Sequence, residues 1–181
     1  MGTRSDIIAQ LSNGKWARIY CHWDGYLKHN GRILFDHYKT QEKIDQLMAL
    51  GDLSVLNEEI GVKHPFEAPS RFTGDLGSGK TNPAYTKHQR KYGKMCLAYG
   101  RDRGETGTEA EIGDTLSEVW PEIDTWTEFT YVWFDGKWSV GDPDEGSQTL
   151  IDLGDALEGK KTLRPLVKTP FGVIGRHSGK V

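Results

Sequence analysis

The chain has 181 residues, 36% hydrophobic and 27% charged, with a net charge of −3. This globular balance excludes a disordered polyelectrolyte, and no apolar run approaches the ~18 residues that a membrane span requires. Two cysteines, Cys21 and Cys96, are too few for a disulfide framework and are expected to be reduced and buried.

The amino-terminal stretch MGTRSDIIAQ lacks the apolar core of a signal peptide, so a cytoplasmic setting is expected. Ile7 to Leu11 and Trp16 to Trp23 are β-prone runs joined by Ser12-Asn13-Gly14-Lys15, and Asn-Gly is the strongest short hairpin signal. Gly31 to Tyr38 has helical spacing. Thr40 is a suitable N-cap for a helix that shares Ile44, Leu47 and Met48 on one face and stops at Gly51.

Residues 61–94 are rich in Pro, Gly and basic side chains and read as a long loop. Within it, GDLGSGKT (74–81) matches the phosphate-loop pattern G-x-x-x-x-G-K-[ST]. That motif works only between a buried strand and a helix. Pro65 and Pro69 deny it the strand, and Asn82-Pro83 is read as denying it the helix, so a surface loop is expected.

Met95 to Tyr99 reads as a short buried strand delivering Gly100-Arg-Asp-Arg-Gly-Glu105 at its end. Thr127 to Phe134 and Lys137 to Val140 flank Asp135-Gly136, a second hairpin, and Ser147 is read as capping a helix from Thr149 to Leu157. The order predicts one α+β domain over 1–160. Its antiparallel sheet is built from two hairpins plus a short strand, with helices packed on one face; a basic C-terminal tail, 161–181, follows. A weak echo of Tyr20 to Gly25 in Tyr131 to Gly136 is attributed to recurring strand and Asp-Gly turn chemistry rather than duplication.

Charge is unevenly spread. Lys80, Lys87, Arg90, Lys91 and Lys94 occur with no intervening acid, whereas Glu105 to Glu128 contains eight acids and no base. Such blocks usually solubilise, and without a basic helix direct nucleic-acid binding is not expected.

Chemistry concentrates in Tyr20-Cys-His-Trp-Asp-Gly-Tyr26. Strand alternation would place Tyr20, His22 and Asp24 on one face, the carboxylate beside the imidazole. In Gly100 to Glu105, Arg101 and Arg103 flank Asp102 between glycines, an arrangement able to hold a phosphate or carboxylate, or else to be neutralised by Asp102 and Glu105. The expected ligand-binding set is His22, Asp24, Tyr26, His37, Tyr99, Arg101, Asp102, Arg103 and Glu105. A zinc site from Cys21, His22, His37 and Cys96 lacks a C-x-x-C pair, and Cys21 with His37 has no evident activating environment as a thiol nucleophile; no metal or cofactor is expected.

The blocks YCHWDGY (20–26) and YGRDRGE (99–105), with His37-Tyr38 and LGDLS (50–54), resemble a family of small uncharacterised proteins encoded by bacteriophages and prophages. The resemblance spans about residues 4–140; the 74–81 segment and the tail after Leu163 depart from it. It implies no activity but a setting: a phage accessory protein in the bacterial host cytoplasm, acting on host defence. The leading expectation is non-catalytic binding of a small phosphorylated, nucleotide-like ligand. A protein-binding inhibitor of anti-CRISPR or antirestriction type, using the acidic stretch, and a small enzyme with a His22/Asp24 acid–base pair are the alternatives. The partner would thus be a small ligand or a host defence protein, with no membrane and homo-oligomerisation left open.

Overall fold

The computed structural model describes residues 2–73, 80–121, 127–141 and 149–164. Strands β1 (Ser5–Gln10) and β2 (Trp16–Cys21) form the first hairpin, with Ile7 opposite Ile19 and Ala9 opposite Ala17. Asn13 shapes the turn: its side-chain oxygen accepts from Lys15 N at 3.0 Å, and Gly14 adopts φ +85°.

The chain leaves the sheet at Asp24, whose φ of +57° bends it into a wide π-type turn (Leu27–Gly31) continuous with α1 (Arg32–His37). Buried Asn30 anchors that turn, its amide donating to Ser5 Oγ at 3.2 Å, Cys21 Sγ at 3.3 Å and the Trp23 carbonyl at 3.3 Å. Helix α2 (Gln41–Met48) starts at Thr40, which accepts from Lys43 N, and buries Ile44, Leu47 and Met48 as the spacing predicts.

Strand β3 (Leu53–Val55) follows, then α3 (Pro83–Tyr92) and β4 (Leu97–Ala98). A second π-type turn (Tyr99–Arg103) leads to β5 (Glu111–Gly113) and the short α4 (Leu116–Val119). The second hairpin is β6 (Phe129–Phe134) and β7 (Lys137–Gly141), joined by Asp135 (φ +50°) and Gly136 (φ +68°), the two positive angles that a tight primed turn requires. Strand β8 (Leu150–Asp152), α5 (Leu153–Leu157) and β9 (Leu163–Arg164) complete the described chain.

The nine strands of the described residues form one sheet in the order β4-β3-β2-β1-β6-β7-β8-β9, with β5 pairing β2 beside β3. The fold is α+β and the sheet mostly antiparallel, as expected, but β1–β6 and β2–β3 are parallel. The main core lies where α1, α2 and α5 cover one face: Leu34, Ile44, Leu47, Met48 and Leu153 pack on Ile7, Ile19, Cys21, Tyr131 and Trp133. Each such aliphatic side chain contributes about 1.5–3 kcal/mol of burial. Against expectation, the helices do not all lie on one face: α4 covers the other, where Leu116 and Val119 join Ile8, Trp16, Val132, Phe134 and Leu150 in a smaller cluster. Alternation along β1, β2 and β6 leaves apolar residues on that side too.

Three further sequence expectations need correction. The run 149–157 is half strand, because Leu150 and Ile151 are the outer continuation of the sheet and Asp152, not Ser147, caps the helix; Ser147 lies outside the described residues. Asn82-Pro83 does not bar a helix but starts one: Asn82 is extended, its side chain accepts from Ala84 N at 2.9 Å, and Pro83 takes the first helical position, where no N–H is needed. Finally, Leu163 and Arg164, assigned to the tail, pair with β8. The rest of the tail, 165–181, lies outside the described residues. The echo between 20–25 and 131–136 matches the second strand of one hairpin to the first strand of the other, so it marks no repeated unit.

Candidate functional site

Alternation along β2 sends Ala17, Ile19 and Cys21 into the main core and leaves Trp16, Arg18 and Tyr20 on the opposite face. Helix α4 covers the Trp16 end. Toward the other end, the face carries Asp6, Arg18, Tyr20, His22, Asp52, Ser54 and Tyr99.

Asp6 is buried, accepts from Thr127 Oγ1 at 2.6 Å and lies 4.0 Å from Arg18, which is held by Glu111. Asp52 accepts from Tyr20 N at 2.8 Å. Burial pushes both carboxyl groups above the usual carboxylate range, with Thr127 and the Tyr20 N–H respectively opposing it. Neither acid was singled out from sequence; an aspartate ahead of Ile7-Ile8 in a central strand was the available signal.

Tyr20 hydroxyl lies 3.2 Å from His22 Nδ1, and Arg4 sits beside that hydroxyl. His22 packs on Trp23 with ring centroids 4.6 Å apart. Tyr99 enters from β4, its N–H donating to the Asp52 carbonyl at 3.1 Å and its hydroxyl meeting Ser54. Phe66 lies 5.4 Å from the Tyr99 ring, and the Arg103 guanidinium stands 5.1 Å over Phe66 while its Nη1 pairs with Glu105 at 3.0 Å. The result is a partly exposed shelf of rings and cations on the uncapped half of the sheet.

Arg101 and Asp102 do not belong to it. Arg101 donates to Asp102 through Nε and Nη2, both at 2.9 Å, and to the carbonyls of Ile60 at 2.7 Å and Cys96 at 2.5 Å. Asp102 also accepts from Ala98 N at 2.8 Å and His64 N at 3.1 Å. The expected anion clamp is therefore an internal staple, its donors and acceptors consumed by the fold.

The His22/Asp24 pairing is likewise replaced. Strand geometry ends at Cys21, Asp24 turns at φ +57°, and among the described residues no hydrogen bond or ion pair joins the two side chains. Tyr26 lies 5.9 Å from His29, and His37 is exposed at the end of α1, its carbonyl accepting from Lys43 Nζ at 2.8 Å. Of the nine expected residues, the shelf gathers His22, Tyr99, Arg103 and Glu105.

The phosphate-loop match fares no better. Residues 74–79 lie outside the described residues, Phe72 bridges Thr81 antiparallel, and Lys80 and Thr81 precede the N-cap instead of forming the first helical turn. In the acidic stretch, Glu105, Glu111 and Asp114 are paired with Arg103, Arg18 and Lys15, and Glu118 accepts from Asp114 N and Thr115 Oγ1. A separate groove of about 760 Å³ runs between the first hairpin turn, the end of α2 and residues 108–112. Leu11, Ala17, Met48, Leu50, Ala110 and Ile112 make it largely apolar; its charged lining residues are Asp45, Glu109 and Arg101, whose guanidinium is already engaged by Asp102 and the Ile60 and Cys96 carbonyls.

Both cysteines are buried, and desolvation pushes the Cys21 thiol up to about 12, only partly opposed by the Asn30 amide. Cys21 is expected to resist iodoacetamide at pH 8 until the protein unfolds, because roughly one thiol in 10⁴ is then ionised. The folded state holds this proton above the ordinary thiol value of 9.0, so this group's contribution to stability should fall as pH rises from 9 toward 12. Alkylation with mass detection and denaturation at pH 8, 9.5 and 11 check both points; rapid native labelling of Cys21 would contradict them.

Comparison with protein-family models, with curated proteins and with solved structures finds no match to this chain.

Proposed function

We propose that this chain is a non-catalytic binding protein for a small phosphorylated, nucleotide-like ligand, seated on the shelf formed by Tyr99, Phe66 and Arg103 and bordered by Tyr20, His22 and Arg4. One observation carries the reading: a guanidinium stands 5.1 Å over a ring that itself lies 5.4 Å from a second ring. Flat rings offer a stacking surface for a base, and an exposed arginine offers a bidentate partner for phosphate. The setting is that of the resemblance, a bacteriophage accessory protein acting on host defence in the bacterial cytoplasm. Among the described residues no helix is long and apolar enough to cross a membrane.

Acid–base catalysis is the weaker reading, since His22 is engaged with the Tyr20 hydroxyl rather than a carboxylate. Inhibition by acidic mimicry is weaker too, because three of the eight acids in the stretch, Glu105, Glu111 and Asp114, are paired with cations of the chain itself.

A thermal-shift panel of nucleoside mono- and triphosphates and cyclic dinucleotides tests the proposal. A ligand present at a hundred times its Kd should stabilise the protein by about 2.7 kcal/mol. Arg103→Ala and Tyr99→Ala should lose that response while folding normally. Silence across the panel, or an undiminished response in both variants, refutes it.

A further inference from the structure

The basic segment read as a loop is a helix, and its residues sort by face. In α3, Tyr85, His88 and Tyr92 share one side and are partly buried, whereas Lys87, Arg90 and Lys91 share the other and are exposed. The inner side is held by rings: His64 stacks on Tyr92 at 5.0 Å and 12°, and His88 meets Tyr92 edge-on at 5.0 Å, with neither His88 ring nitrogen hydrogen-bonded.

Among the described residues, none of Lys87, Arg90 and Lys91 takes part in an ion pair, unlike nearby Lys94, which binds Glu58 at 3.0 Å. Lys91 only overlies Tyr92, 5.0 Å from its centroid. No other described helix displays three cations on one exposed face without an acid. The expectation against nucleic acid rested on the lack of a basic helix, and α3 is one.

The helix also has a defined neighbour. His64, which stacks on Tyr92, donates its N–H to Asp102 at 3.1 Å, and Phe66, two residues on, carries Arg103 over its ring. The ring side of α3 thus packs on the short segment that also carries Phe66, which places the helix next to the aromatic shelf with its cations facing outward. A cationic helix neighbouring a shelf of stacking rings suits a strand whose phosphates are continuous and whose bases are unpaired; a duplex hides the base faces that rings would stack on.

We propose that the outer face of α3 binds the phosphate backbone of single-stranded nucleic acid through Lys87, Arg90 and Lys91. The phosphate contact does not rest on the shelf being a nucleotide site; the preference for unpaired bases does.

Fluorescence anisotropy with a labelled 20-nucleotide oligothymidine and with a 20-base-pair duplex tests this. Three neutralised phosphates predict that affinity for the single strand falls roughly twentyfold between 50 and 200 mM salt. The triple variant Lys87→Glu, Arg90→Glu, Lys91→Glu alters only exposed positions; its circular dichroism should match the parent and its oligonucleotide binding should vanish at 50 mM salt. A thermal response to mononucleotides should survive in that variant and be lost in Arg103→Ala, which separates the two surfaces. No binding at 50 mM salt, unchanged binding by the triple variant, or equal affinity for the duplex overturns the proposal.

Discussion

Replacing Asp102 with alanine should lower the free energy of unfolding by about 3–5 kcal/mol, the loss seen when one member of a buried, hydrogen-bonded ion pair is removed. Its side chain is fully buried, and four donors converge on it: two from the Arg101 guanidinium and the N–H groups of Ala98 and His64. Alanine strands all four, and Arg101 then carries an uncompensated charge beside Ile60 and Cys96. Burial alone would raise the Asp102 pKa, but the Arg101 hydrogen bonds and the two backbone donors outweigh it, and the pKa lies below the ordinary value of 3.8. A depressed carboxylate stabilises the fold above its unfolded pKa and loses that contribution as pH falls through the folded one. Urea denaturation should therefore show wild type weakening below about pH 4 more steeply than Asp102→Asn. Arg103→Ala, at an exposed side chain, should change stability by no more than about 0.5 kcal/mol. Equal, small effects at both positions would show that the two arginines do not divide into a structural and a binding residue.

Gly51→Ala should cost about 2–5 kcal/mol. Gly51 follows the turn after α2 with φ +70°, a conformation that costs an L residue about 1–2 kcal/mol. Its position is also crowded: a Cβ there would stand 2.1 Å from the Thr108 carbonyl oxygen, a backbone atom already accepting from Asp52 N at 2.7 Å. Relief requires moving the 105–110 segment, adding overpacking of about 1–3 kcal/mol. That segment begins at Glu105, the partner of Arg103, so the variant should also weaken any nucleotide response. Gly104→Ala is the control, having a similar φ of +77° but open space around it, and should show the backbone cost alone. A Gly51→Ala loss no larger than the Gly104→Ala loss would remove the steric argument.

Local chemistry was legible in the sequence wherever it decides the outcome by itself. Asn13-Gly14 and Asp135-Gly136 set both hairpins, and Thr40 set the start of α2, because turn angles and caps depend on a few adjacent residues. Strand β8 was misread because a short apolar run carries no periodicity that distinguishes it from a helix. The candidate site was half legible. Tyr99 and Arg103 lie in a recognisable block, but whether a guanidinium faces solvent or the interior depends on distant carbonyls, here those of Ile60 and Cys96. Asp6, Arg18 and Asp52 come together only through the pairing of β2 with β1, β3 and β5, which no short window reveals.

The parallel pairing of β1 with β6 joins Ser5 to Phe129 and Ala9 to Trp133. During synthesis the β1 edge of the opening hairpin thus stays vacant until a partner encoded more than a hundred residues later emerges, roughly 6–25 seconds at ordinary translation speeds. Sheet closure is consequently a late, long-loop event in the life of the nascent chain, and chains interrupted before Phe129 leave the ribosome with the open flank of Ile7 and Ile8 free to capture another copy.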